Sequence, residues 1–185
     1  DQFELNDVVF VHRHSQVILE PERNLTILNS MVQEVPRILY YRGTELFNHH
    51  KYKEASVAYQ KYMRVSEWDT ELYDAKLNLA LSFGFENDYI NARKQCLDVI
   101  LSEPNYQPAY NLLGQIAMLH KQYPEAAMWF EHSLICSKVF YMFDNTESTV
   151  FNSLVNLAVC YANTGDKERC MRAIEKAKKN CIDQE

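Results

Sequence analysis

One short phrase recurs down this chain and leaves little freedom for its fold: Tyr52-Lys-Glu-Ala55, Tyr89-Ile-Asn-Ala92, Tyr123-Pro-Glu-Ala126 and a looser Lys167-Glu-Arg-Cys170. The small residues that close the phrase are spaced 37, 34 and 44 positions apart. Self-similarity on that scale belongs to stacked arrays, in which each unit buries its apolar face only against the next. Four small residues upstream of the phrases, Gly43, Ala80, Gly114 and Ala158, complete the pattern. Helices approach closely where such side chains meet, so each pair predicts a helix hairpin. Tyr59, Phe83, Phe130 and Tyr161 are then expected to fill the gaps between neighbouring hairpins.

The surrounding residues resemble the tetratricopeptide repeat, whose signature W-x2-L-G-x2-Y…A-x3-F…P has a period of about 34 residues. The third repeat follows it most closely, with Tyr110-x2-Leu113-Gly114-x2-Ala117 and then Ala126-x3-Phe130. The first reads Leu39-x2-Arg42-Gly43-x2-Leu46 and Ala55-x3-Tyr59; the second reads Leu79-Ala80-x2-Phe83, Ala92-x3-Cys96 and Pro104 as terminator. The fourth reads Leu154-x2-Leu157-Ala158-x2-Tyr161 and Cys170-x3-Ile174-x2-Ala177. The longer spacings are the same period with insertions of three and ten residues.

The predicted architecture is all-α, a right-handed superhelix (α-α solenoid) of four helix hairpins with an N-terminal capping helix. Residues 21–185 form this repeat domain, with repeats at about 36–69, 70–106, 107–146 and 147–182. First helices are expected over Ile38–His49, Thr70–Phe85, Gln107–His120 and Ser148–Thr164, and second helices over Tyr52–Val65, Tyr89–Ser102, Tyr123–Cys136 and Lys167–Cys181. Only four glycines and five prolines interrupt a chain that is 47% hydrophobic, which suits long helices with short connections. The ten-residue insertion falls in Ser137–Thr146 and carries the apolar run Val139–Phe143. The cap is expected over Glu22–Glu34, where Leu25, Ile27, Leu28, Met31 and Val32 recur at helical spacing.

Residues 1–20 read differently, as a strand-like leader through Val8, Val9, Phe10 and Val11. The run from Val11 through Trp68 resembles the junction in bacterial and phage family 2 glycosyltransferases that carry C-terminal tetratricopeptide repeats. The residues that carry the resemblance are Val11-His12-Arg13-His14, Glu22-Arg23-Asn24-Leu25, Arg37-Ile-Leu-Tyr-Tyr-Arg-Gly43, Tyr52-Lys-Glu-Ala55 and Tyr62-Met63…Glu67-Trp68. The resemblance implies a catalytic nucleotide-sugar domain upstream, whose last strand would be Asp1–Ser15. It implies for this part a helical arm that supports dimer formation or engages the acceptor. The chain opens at Asp1 with neither initiator Met nor signal peptide and reads as a piece of a longer protein.

Catalytic signatures are missing: the sequence has no D-x-D, no P-loop, no serine-nucleophile motif and no G-x-G-x-x-G. The expectation is a chain with no catalytic residue, no bound metal and no cofactor. His12 and His14 lie on one side of an extended segment, but without a third ligand they read as two exposed histidines. His49, His50 and His120 read as turn residues. A net charge of −6 and a pI near 5.5 argue against nucleic acid as partner. No run nears the roughly 18 apolar residues of a spanning helix, so no membrane partner is expected. Five cysteines without a C-x-x-C pair read as reduced core thiols and suggest a cytoplasmic protein, with Cys170 standing where other repeats use alanine.

The binding reading concerns the inner groove. First helices of such solenoids line the concave face, where the exposed stripe is predicted to comprise Arg37, Tyr40, Tyr41, Thr44, Asn48, Asn78, Leu81, Asn111, Gln115, Met118, Asn152, Asn156 and Asn163. Amide side chains donate to and accept from a peptide backbone at once, so the stripe suits an extended peptide of a protein partner. Asparagines are equally tolerated on any wet helix surface. Only Arg37 could serve a carboxylate clamp, which disfavours a chaperone-tail receptor. Two rivals to the glycosyltransferase arm stand beside it: a free-standing adaptor, and a homodimer joined through Val139–Phe143 or the terminal repeat.

Overall fold

The computed structural model describes residues 23–31, 35–66, 69–136 and 146–182. The leader with its two histidines and the Val139–Phe143 run lie outside the described residues. Those residues form nine α-helices and no strand: α1 (Arg23–Ser30), α2 (Pro36–Asn48), α3 (Tyr52–Val65), α4 (Asp69–Phe85), α5 (Tyr89–Ser102), α6 (Gln107–Leu119), α7 (Tyr123–Ile135), α8 (Thr146–Thr164) and α9 (Lys167–Ile182). Helices α2 to α9 pair as four successive hairpins, and each first helix also touches the next first helix. Successive second helices, α3 with α5, α5 with α7 and α7 with α9, bring no Cα atoms within 8 Å of each other. First helices therefore stand on the inside of the curve and second helices on the outside.

All four hairpins turn by one device. Lys51, Asp88, Gln122 and Asp166 donate their backbone N–H to the carbonyls of Leu46, Phe83, Ala117 and Tyr161, at 2.8–2.9 Å. This six-to-one bond requires a left-handed residue just before it. His50 (φ 58°), Asn87 (φ 62°), Lys121 (φ 59°) and Gly165 (φ 79°) supply it. Asp88 and Asp166 then cap the following helices, accepting from the N–H of Asn91 at 3.2 Å and of Arg169 at 3.0 Å.

The small residues act differently from the expectation in one respect. A Cβ at Gly43 would lie 2.8 Å from the Tyr59 ring, and one at Gly114 would lie 2.7 Å from the Phe130 ring. These two aromatics, fully buried, seat on the glycine of their own hairpin as well as belonging to clusters that reach the next repeat, through Ala75 and Leu79 for Tyr59 and through Leu157 and Cys160 for Phe130. Ala55 and Ala126, fully buried one turn earlier, allow the helices close enough for the rings to seat. Where the seat is alanine, the opposing residue is smaller: Cys96 stands in register with Ala80, and Ile174 with Ala158. A larger seat goes with a smaller opposing residue, as close packing demands.

Repeats are joined by apolar burial with a few polar links. Phe83 packs against the clusters on both sides of it, as expected of a residue between repeats. The Tyr62 hydroxyl donates to the buried Glu71 at 3.0 Å, the Tyr106 hydroxyl to Asp74 at 2.6 Å, and the Tyr161 hydroxyl to Glu131. At the N-terminal end α1 packs on α2 through Leu25, while Ile27 and Met31 remain about two-fifths exposed. Arg42 closes this cap by donating to the Leu28 carbonyl at 2.7 Å, where the end of α1 leaves acceptors unsatisfied.

Candidate functional site

The inner face divides the predicted stripe into residues that reach solvent and residues that do not. Arg37, Tyr41, Asn48, Gln115, Asn152 and Asn163 are exposed, and Thr44, Asn78, Leu81, Met118 and Asn156 are half-buried. Arg37 and Tyr41 form a pair, with Nε donating to the phenol at 3.3 Å and the guanidinium 5.8 Å from the ring centroid. The Asn78 side chain hydrogen-bonds the Tyr59 hydroxyl, so it braces the first hairpin as well as facing the groove.

Two predicted groove residues are core residues. Tyr40 is 4% exposed and packs edgewise on Tyr59 and Tyr62, with centroids 6.3 and 5.4 Å away. Burial beside the carboxylates Asp74 and Glu71 holds its phenol far above the ordinary range. Asn111 is 7% exposed, and its Oδ1 lies 2.7 Å from Ser153 Oγ, which is itself 3.0 Å from Ser133 Oγ. This buried trio ties α6, α7 and α8 together across the junction that carries the insertion. Tyr40 thus turns onto the second helix of its own hairpin, while Asn111 points at the neighbouring repeat, where a polar side chain persists because it has partners.

Of the residues that shape the groove most, Leu81 and Gln115 belong to the predicted stripe, whereas Phe85, Leu112 and Leu119 do not. A cavity of about 310 Å3 opens between the second and third repeats, lined by Leu81, Phe85, Leu112, Gln115 and Leu119, with Gly84 at its wall. No heavy atom lies within 4 Å of where a Gly84 Cβ would be, so the missing side chain is what keeps the space open. Phe85 and Leu119 are 57% and 66% exposed, unusual for large apolar residues ending two adjacent helices. Phe85 stacks flat on Tyr52, centroids 4.5 Å apart, and meets Phe47 edgewise at 5.7 Å. An aromatic shelf thus continues the pocket toward the first repeat. The signal in the sequence was an apolar residue at the last position of a first helix, which composition alone assigns to a core.

Among the described residues no group of three or more His, Cys, Asp or Glu side chains could hold a metal, and no helix is long and apolar enough to cross a membrane. The lining of the cavity carries no charge. What the surface offers is apolar contact framed by amides.

No protein-family profile matches the chain, and no curated protein sequence matches it. Solved structures do. A MamA fragment from Desulfovibrio magneticus RS-1 superposes with a TM-score of 0.70 at 17% identity, over 89% of this chain and 88% of that one. BtubC from P. vanneervenii gives 0.68 at 16% identity, over 89% and 71%. YrrB, described as a TPR protein with an unusual peptide-binding site, gives 0.61 at 17% identity, over 88% and 79%. At such identities the likeness is one of backbone, and with the four hairpins it shows the fold to be a tetratricopeptide-repeat superhelix.

Proposed function

We propose that the chain is a protein-interaction scaffold that holds an extended peptide segment along its inner face, anchored by an apolar side chain in the pocket beside Gly84. The observation that carries this reading is the 310 Å3 uncharged cavity, at the small end of ligand pockets and open to the groove. Gln115 at its edge and the neighbouring Asn78 supply amides for a peptide backbone. The likeness to YrrB supports the same reading. Short peptides selected on phage against the chain test it. Peptides with a leucine or aromatic anchor are expected, and Gly84→Leu, which fills the pocket without touching the core, lowers their affinity about tenfold or more. Selected peptides that bind Gly84→Leu equally well would rule the pocket out.

The glycosyltransferase arm is a finer form of this scaffold and rests on the sequence resemblance of the Val11–Trp68 run alone. Codons upstream of Asp1 that encode a D-x-D-bearing domain would support it, and any other coding sequence there would remove it. Self-association is a second reading, favoured by a cavity of about 760 Å3 on the outer end of the last repeat, among Phe151, Val155, Val159 and Ile174. Sedimentation equilibrium tests it: a monomer at every concentration would exclude it. The free, buried thiols Cys96 and Cys160 support a cytoplasmic site.

A further inference from the structure

Along the outer face, the groove between successive second helices is closed at one junction and open at the next. Between α5 and α7, Tyr110, Trp129 and His132 cluster with centroids 6.0–6.4 Å apart. Arg93 reaches across the same gap to Glu125 at 2.5 Å. The register that aligns Ala126 with Cys170 puts Leu154, Ala173 and Lys176 where those three rings stand. It also puts Arg169 where Glu125 stands and Ala127 where Arg93 stands. Rings and ion pair are both lost, and a groove of about 460 Å3 remains between α7 and α9.

Its chemistry is two-sided. Leu154 and Leu157 of α8 form the buried floor, and Leu134 and Ile135 of α7 form an apolar rim on which Ile135 is 79% exposed. At one end Glu131 of α7 accepts from the Tyr161 hydroxyl, and the Arg169 guanidinium lies 4.7 Å from the Tyr161 ring centroid. The α9 wall carries Arg169, Arg172 and Lys176. Arg169 pairs with Asp166 at 2.6 Å, and Arg172 with Glu168, while Lys176 has no ion pair among the described residues. Helix α9 as a whole holds six basic and two acidic residues, a net of +4 on a chain whose net charge is −6. Cationic character is thus concentrated on the α9 side of this groove.

We infer that this groove is a second binding surface, distinct from the inner one, and that its occupant is an acidic amphipathic helix of a partner protein. Helices α7 and α9 stand on either side of α8, whose Leu154 and Leu157 at the floor are only 5% and 6% exposed, so a third helix would rest on the rim, against Leu134 and Ile135 of α7 and Arg172 and Lys176 of α9. Its apolar stripe would cover Leu134 and Ile135, and its glutamates or aspartates would face Arg172 and Lys176. Apolar contact supplies most of the affinity in such a site, and the charges select the partner and speed its arrival.

The test is fluorescence anisotropy on the full chain with two labelled synthetic helices. One carries leucines at helical spacing with glutamates elsewhere, and its counterpart has lysine for every glutamate. The acidic helix is expected to bind saturably and about tenfold or more tighter than the basic one. Ala173→Trp, which restores a ring to the groove, and the surface change Lys176→Glu each weaken it by about tenfold. Gly84→Leu leaves it unchanged, which separates this site from the inner pocket. Equal binding of both helices, no saturable binding, or full binding to both groove variants would overturn the inference; Lys176→Glu decides alone if Ala173→Trp fails to fold.

Discussion

Gly114→Ala is the sharpest perturbation of the packing described above. The added Cβ would stand 2.7 Å from Cε1 and Cζ of Phe130 and 2.9 Å from its Cδ1. That ring is wholly buried between α6 and α7 and has nowhere to retreat, so helix separation or an off-rotamer ring follows. Overpacking of this kind costs about 1–3 kcal/mol, and alanine returns about 1 kcal/mol of helix propensity over glycine. The net expectation is a loss of up to about 2 kcal/mol against the parent, and of about 1–3 kcal/mol against a glycine whose new Cβ meets nothing. Gly84→Ala is the internal control, because its Cβ meets nothing within 4 Å and only the propensity gain remains. Combining Gly114→Ala with Phe130→Leu is expected to cost less than the sum of the two changes, since each relieves the other. Urea unfolding followed by circular dichroism should rank the midpoints Gly84→Ala above the parent and the parent above Gly114→Ala. A Gly114→Ala midpoint equal to or above the parent would refute the ring-on-glycine seat.

Further predictions follow from the turns and the buried groups. Lys121 holds φ 59°, so Lys121→Gly should stabilise the chain by about 1 kcal/mol, read as a higher urea midpoint. Burial pushes Cys96 up to about 12 and Cys160 up to about 11, so a thiol reagent at mild pH should label both only after unfolding. Burial also pushes Tyr59, Tyr62 and Tyr161 up to about 12. Their folded values lie above the unfolded value near 10, so the stability they lend is complete below about pH 10 and drains away as pH rises toward 12. Absorbance at the phenolate band should therefore rise together with loss of helicity in that window.

Most of the fold was legible because it rests on spacing. The expected second helices Tyr52–Val65 and Tyr89–Ser102 coincide with α3 and α5, and the other repeat helices end within two residues of expectation. Small residues in register can be read from the chain because only they permit close helix crossings. What spacing does not encode is direction: Tyr59 and Phe130 turn inward onto Gly43 and Gly114, Tyr40 turns onto Tyr59 and Tyr62 of its own hairpin, and Asn111 turns toward the adjoining repeat. A first helix in a stack faces its own partner, its neighbour and solvent at once, so residue type cannot tell which face a polar side chain occupies. Asn111 looked wet because asparagine usually is; Ser153 makes it otherwise. The Gly84 pocket was hidden for the opposite reason, since Phe85 and Leu119 carry the apolar character of a core yet end at the groove. The open outer groove emerges only when Ala173 is set against Trp129 in the aligned register.

Hydrogen exchange, measured by mass spectrometry with and without a phage-selected peptide, tests the binding face most directly. Slowed exchange is predicted through Leu81–Phe85 and Leu112–Leu119, the two helix ends that frame the inner pocket. Slowing confined to α3, α5 or α7, with those two stretches unchanged, would contradict the account.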